Sequence, residues 1–239
     1  MVIYPVIDIK SGNCVRTKQG QYLDLEVYSH FPEKVAKNWE DQGAEFLHVI
    51  DLDGAMVGHF INYEIISDIL DKVQIPIEVG GGIRTIQEVE RLLRMGVSRV
   101  VIGTKAAKNP AFIKEIVNIF GAEHIVVSID MKNGSVMMDA WENVSTYSAA
   151  SLARNMKDIG VHNIVYTDVE RDGMLQGANV EFAKELIESS GLDVIVSGGV
   201  SSLKDLELLK EIGAKGAILG KALYEHKIDL KTAIEIFKK

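Results

Sequence analysis

Short apolar runs alternate with amphipathic stretches eight times along the 239-residue chain. The runs lie near residues 2–8, 45–51, 75–80, 98–102, 124–130, 162–168, 193–197 and 215–219. Val, Ile and Leu dominate them with little polar alternation, the pattern of parallel strands covered on both faces. Between them, spacings such as Ile86-Val89-Leu92-Leu93 and Leu203-Leu206-Leu209 gather apolar residues on one helix face, with Glu, Lys and Arg on the other. Asn62, Asn109, Ser145 and Asn179 stand where helix N-caps are expected. Neither a Pro/Ser-rich linker nor a low-complexity segment breaks the alternation. Eight β/α units in this length predict an α/β fold, a (β/α)8 TIM barrel in one domain spanning residues 1–239, with an open doubly wound sheet as the alternative.

A repeat favours the closed barrel. Gly81-Gly82 returns 117 residues later as Gly198-Gly199, and the same offset carries Glu90 onto Glu207, Leu92 onto Leu209, Gly96 onto Gly213 and Gly103 onto Gly220. The pattern Asp-x-Lys-x-Gly also occurs twice, at Asp8–Gly12 and Asp130–Gly134, 122 residues apart, so a few loop residues differ between the halves. This self-similarity spans half the chain, well beyond the roughly 20–50 residue periods of solenoids. Two duplicated half-barrels explain it, because each half alone would leave open sheet edges.

In barrels of this kind the chemistry sits on loops at the C-terminal strand ends. Asp8, Asp51, Gly81, Gly103, Asp130, Thr167, Asp168, Gly198 and Gly220 all fall there. Asp8 and Asp130, related by the repeat, form a candidate general acid/base pair whose surroundings should drive their ionisation apart. Taken singly, either could be a helix cap or a lysine partner. Gly81-Gly82 and Gly198-Gly199 each follow a strand and precede a helix; Gly103-Thr104 and Gly220-Lys221 follow the next strand. Such turns bring backbone N–H groups close to an anion. Two equivalent sets predict two phosphate sites and a substrate phosphorylated at both ends. Thr167 can orient a neighbouring carboxylate, and Asp172 lies in a glycine-bearing loop able to fold over the mouth. His48 reads equally as a satisfied core histidine or a functional one. Trp141 can stack on a heterocycle or sugar, or pack locally. Arg16 can close on an anion or be solvated. Lys10 and Lys132 read as structural partners of barrel carboxylates, and Cys14, Met137 and Met138 as packing.

Composition narrows the partners. The 26 basic against 34 acidic residues give a net charge of −8, which disfavours nucleic acid and anionic membranes. A small anionic substrate remains compatible, because salt screens diffuse charge beyond roughly 8 Å. Cys14 stands alone, so neither a disulfide framework nor a cysteine metal cage is expected. The start lacks a leader pattern and no run reaches membrane-spanning length, so a cytoplasmic location is expected.

Several segments together resemble the phosphoribosylformimino-aminoimidazole carboxamide ribotide isomerase family of histidine biosynthesis, over essentially the whole chain. They are Val6-Ile7-Asp8-Ile9-Lys10-x-Gly12 with Val15-Arg16, Asp51-Leu52-Asp53-Gly54-Ala55, Val79-Gly80-Gly81-Gly82-Ile83-Arg84, Ile102-Gly103-Thr104, Ser128-Ile129-Asp130, and Thr167-Asp168 with Arg171-Asp172-Gly173. The resemblance implies a half-barrel duplication, a bisphosphorylated substrate and an aldose–ketose (Amadori) isomerisation without metal or organic cofactor. It implies Asp8 as general base, Asp130 as general acid, Thr167 and Asp172 in support, and Trp141 as a loop aromatic. The phosphate sites would be Gly81, Gly82, Gly103 and Thr104 on one side, and Gly198, Gly199 and Gly220 on the other. Arg16 and His48 are further candidate substrate contacts, and the chain is expected to act as a monomer. The sister cyclase of the next step would carry Cys where Val6 stands and Lys where Arg16 stands. A dual-substrate relative also acts on phosphoribosylanthranilate.

Overall fold

The computed structural model describes residues 1–18 and 21–238. Eight parallel strands close on themselves: β1 (Val2–Lys10), β4 (Leu47–Asp51), β5 (Ile77–Gly80), β6 (Arg99–Ile102), β7 (Ile125–Lys132), β10 (Asn163–Asp168), β11 (Asp193–Ser197) and β12 (Gly216–Leu219). β12 pairs back onto β1 with Val2 opposite Gly216, and β7 pairs with β10 with Asp130 opposite Thr167. Helices α1 (Pro32–Asp41), α3 (Tyr63–Lys72), α4 (Ile86–Met95), α6 (Pro110–Phe120), α7 (Ala149–Ile159), α8 (Val180–Ser190), α9 (Leu203–Glu211) and α11 (Leu230–Phe237) connect successive strands or follow the last. Short helices α2 (Leu52–Val57), α5 (Thr104–Lys108) and α10 (Lys221–Tyr224) begin directly beyond β4 and one residue beyond β6 and β12. The fold is thus the expected (β/α)8 barrel.

The unbroken apolar runs are now explained by two cores. Within β1, Ile3, Ile7 and Ile9 face the helices, while Tyr4 and Val6 join Val101, Val126, Val165, Ile195 and Ile218 inside the barrel. Alternating side chains thus meet apolar surroundings on both faces. The inward row of β1 runs Tyr4, Val6, Asp8, and that of β7 runs Val126, Ser128, Asp130. Each ends in a carboxylate at the mouth. At the opposite end Arg99 donates to Glu78 and to Tyr4 and stacks against Phe46, closing the barrel floor.

Two segments expected as loops are hairpins. β2 (Asn13–Lys18) and β3 (Gln21–Ser29) extend the sheet from β1, and β8 (Ser135–Met138) with β9 (Asn143–Val144) extends it from β7. The tip of the first, residues 19 and 20, lies outside the described residues. The hairpins obey the repeat: Lys10 pairs with Asn13 and Lys132 with Ser135, again 122 apart. Among the caps, Asn109 and Asn179 accept the amides of Phe112 and Phe182. Asn62 occupies its cap position, but its amide group turns to Asp51 and Asp53. Ser145 is not a cap; Ser148, which accepts from Ser151, starts α7 three residues later.

Buried carboxylates shape the mouth. Asp51, wholly buried, accepts the amides of Gly54, Ile61 and Asn62 and the Asn62 side chain. Its repeat mate Asp168 accepts the amides of Glu170 and Arg171 and the side chain of Asn179. A side chain on Gly81 would collide with the Asp51 carbonyl, and one on Gly198 with that of Asp168; both glycines have φ near +100°, at 102° and 91°. Close approach and left-handed backbone together demand glycine there. Asp51→Ala strands several buried donors at once, so it is expected to destabilise the chain by about 3 kcal/mol or more, measured as a fall in urea midpoint. Asp168→Ala should act in the same direction and cost less, because two of its amide bonds are long, at 3.1 and 3.3 Å.

Candidate active site

Two connected clefts occupy the C-terminal mouth. The larger, about 180 Å³, is lined by Asp8, Asp130, Thr167, Trp141 and His48 together with the Gly81, Gly82, Gly103 and Thr104 turns. The smaller is lined by Gly198, Gly199, Gly220 and Lys221. Arg16, Asp172, Ser197 and Ile218 border both. One glycine set therefore shares the larger cleft with both acids, and the other lines the adjoining smaller cleft. Gly103 and Gly220 also share an unusual backbone, with φ/ψ of −97°/−95° and −104°/−108°, as they lead into α5 and α10. The first turn of such helices has N–H groups without intrahelical acceptors.

The two acids are held differently. Asp8 is buried and its Oδ2 accepts from Arg16 Nη1 at 2.6 Å. Burial pushes its carboxyl above the ordinary range, while Arg16 and then His48 draw it back. Asp130 has no arginine: its Oδ1 accepts from Ser128 Oγ at 2.6 Å and its Oδ2 from Trp141 Nε1 at 2.9 Å. Thr167 lies beside Asp130 in the β7–β10 register. The Asp172 carboxylate is 3.6 Å from Arg16 Nη2. Its pKa is pushed up to about 6, foremost by burial, with Arg16 opposing and the nearby Asp8 and Asp130 adding to the rise.

Trp141 reaches Asp130 from a strained turn. Asp139, Ala140 and Trp141 all have left-handed φ, at 53°, 54° and 68°. Each such residue costs roughly 1–2 kcal/mol, so other contacts must fix the turn. The Asp139 amide donates to Thr104 Oγ1, and its carboxylate takes Lys108 at 2.6 Å and Asn143 at 3.0 Å. The Thr104 turn and the indole are thereby tied together. Trp141 is thus half-buried and engaged with the acid.

Other expectations need adjusting. Arg16 is a buried strand residue at 6 % exposure, not a solvated one, because β2 carries it over the mouth. Met137 and Met138 line the larger cleft rather than only packing. Lys10 stands 3.9 Å from Asp53, in keeping with a structural role. Cys14 is fully buried against Tyr224. His48 fits both of its readings: Nδ1 is bonded to the wholly buried Glu78 at 2.6 Å while the ring borders the cleft. Glu78 and Arg99 escaped notice in the sequence, and Ser128 stood there only as part of a motif, with no role of its own. Ser128 could have been found by parity, since it shares the inward row with Asp130. Among the described residues no three His, Cys, Asp or Glu side chains converge to hold a metal ion, and no helix is long and apolar enough to cross a membrane.

The sequence profile described as histidine biosynthesis protein matches residues 2–229. The chain belongs to that histidine biosynthesis family. Its curated relatives include the 1-(5-phosphoribosyl)-5-((5-phosphoribosylamino)methylideneamino) imidazole-4-carboxamide isomerase of Lachnoclostridium phytofermentans, 56% identical over the full length of both chains. The isomerases of the same name from Acetivibrio thermocellus, 44% identical over all of both chains, and from Dehalococcoides mccartyi, 48% identical over 98% of this chain and 99% of that one, are also similar. The resemblance drawn from short motifs thus extends across the whole barrel of this histidine biosynthesis family member.

One consequence concerns stability. Asp172 binds its proton more tightly when folded, so its contribution falls as pH rises from about 4 through about 6. Asp172→Asn abolishes that titration. Its stability relative to the native chain is expected to improve between pH 4.5 and 7.5 by roughly 2 kcal/mol, as read from paired urea titrations.

Proposed function

We propose that this chain is the isomerase its relatives are named for. It converts the aminoaldose of a substrate bearing two phosphoribosyl groups into the aminoketose, by proton transfer between Asp8, Asp130 and the sugar. The observation that carries this reading is the pair of repeat-related carboxylates in one cleft, with one glycine-turn set in that cleft and its equivalent in the adjoining one. One set takes each phosphate through backbone N–H groups, which leaves the sugar between the acids.

Asp130 donates a proton to the ribose ring oxygen as the ring opens, and the glycosidic nitrogen becomes a protonated imine. Asp8 then removes the C2′ proton, the electrons flow to the imine nitrogen, and the resulting enolamine tautomerises to the ketose. The cationic nitrogen is the electron sink, so the scheme calls for neither metal nor organic cofactor. The contacts of Asp130 constrain where its proton sits. The indole of Trp141 can only donate, whereas the hydroxyl of Ser128 can turn and accept. With Trp141 on Oδ2, the proton is loaded on Oδ1 facing Ser128; for Oδ2 to deliver it, the indole must move away. Thr167 and Asp172 support the pair from its flanks, and the reading places the reaction in a monomer.

Purified protein given the aminoaldose alone is expected to produce the ketose, unaffected by EDTA. Ammonia with the ketose should yield nothing, and turnover there would favour the cyclase. Phosphoribosylanthranilate supplied separately tests dual specificity. Asp8→Asn and Asp130→Asn should each lower turnover by ~10²–10⁴-fold with substrate still bound; near-native rates in either would remove that residue from the scheme.

A further inference from the structure

The hairpin register exposes one break in the two-fold repeat. β2 pairs with β1 as Lys10–Asn13 and Ile9–Cys14, and β8 pairs with β7 as Lys132–Ser135 and Met131–Val136. The position equivalent to Arg16 is therefore Met138, and a cation beside Asp8 is matched by a thioether on the Asp130 side. Arg16 also differs in what it covers. A side chain added at Gly103 would meet only the Ser128 Cβ, at 3.7 Å, whereas at Gly220 it would collide with the Arg16 guanidinium. With Arg16 there, the smaller cleft keeps about 20 Å³, room for roughly one water and none for a phosphate. Among the described residues the Arg16 Nε is buried without a hydrogen-bond partner, a costly state that an added acceptor would relieve.

We propose that Arg16 is a positioning residue that couples the Gly198/Gly199/Gly220 cleft to Asp8: it caps the carboxylate in the free protein, and a phosphate entering that cleft draws the guanidinium away and frees the base. This inference rests on the function proposed above and adds to it when the base becomes competent. The single arginine also breaks the symmetry of the two acids. Among the described residues the charged and titratable groups around Asp8 are Arg16 and the Cys14 thiol from β2, His48 from β4, Asp172 from the loop after β10, Asp130 across the cleft and Tyr224 behind Cys14. Arg16 is the one that both bonds Asp8 and borders the smaller cleft. Once it leaves, burial dominates and Asp8 becomes more basic.

The test is a comparison of two acid limbs. The pH dependence of kcat/KM reports the free protein and that of single-turnover rates with enzyme in excess reports the bound state. In the native chain the bound-state limb should lie at least about one pH unit above the free limb, a tenfold change in ionisation. In Arg16→Met the free limb should rise to meet it, and Arg16→Lys should keep a smaller gap. Coincident limbs in the native chain overturn the proposal. So does an Arg16→Met chain with raised KM and an unmoved free limb, the signature of a plain phosphate ligand. If the native chain makes no ketose, the functional reading fails on its own. The coupling is then read from the ¹³C carboxyl titration of Asp8, with and without inorganic phosphate. A rise with phosphate, absent in both arginine variants or reduced in Arg16→Lys alone, supports it; no rise overturns it.

Discussion

The mouth of this barrel depends on two wholly or largely buried carboxylates, one in each half. Asp51 and Asp168 collect backbone amides from the loops that follow β4 and β10 and bind the Asn62 and Asn179 side chains at the starts of α3 and α8. A carboxylate out of water is costly unless each oxygen is met by donors, so each loop is fixed in one shape. The loop carbonyls then leave no space beside the next strand's turn for anything larger than glycine. That packing gives the paired glycine turns their form. Capping boxes at Thr85/Glu88 and Ser202/Asp205 hold the helices behind both turns in the same way. The turns are thus by-products of satisfying buried charge, repeated in each half.

Below the mouth the same constraint recurs. Glu78, with no exposed surface, is answered by His48 on one oxygen and Arg99 on the other, and Arg99 is further held by Tyr4 and Phe46. Charge enters the barrel interior at its floor and at its mouth, and a band of Val and Ile separates the two. Asp8 lies just above that band, where desolvation raises its carboxyl while Arg16 on β2 and then His48 on β4 restrain it. The chain's net charge of −8 is of little consequence here, since the local balance is set by groups a few ångströms apart. Three acids and one arginine meet at the centre.

Much of this was legible because it follows from periodicity. The eight strands and the glycine turns emerge from apolar runs and from the 117-residue offset. The inward rows could also be counted, since parity along β1 and β7 leads to Asp8 and Asp130. What escaped depends on partners far apart in sequence. Arg16 lies in a Lys- and Gly-containing segment that reads either as closing on an anion or as solvated, and only the pairing of β2 with β1 up to Val15, which carries Arg16 over the mouth, shows that it is covered. Ser145 has the right chemistry for a cap, yet β9 and the turn after it carry the chain three residues further before α7 begins. Met137 and Met138 read as filling because thioethers usually are; the hairpin turns them toward the cleft. Glu78 and Arg99 sit in apolar runs where a charge reads as noise until the interior is seen to be shared.

A duplicated fold begins with two equal sides, but an acid and a base must be unequal at the same pH. The repeat supplies two carboxylates and two sets of glycine turns; the difference has to come from residues the repeat does not copy. On one side a buried guanidinium bonds Asp8, and on the other a hydroxyl and an indole bond Asp130. The guanidinium brings a full charge that opposes the burial raising the Asp8 carboxyl, whereas the neutral donors on Asp130 leave one oxygen beside a hydroxyl that can turn. Symmetry therefore places the two carboxylates, and a few departures from it give them unlike surroundings.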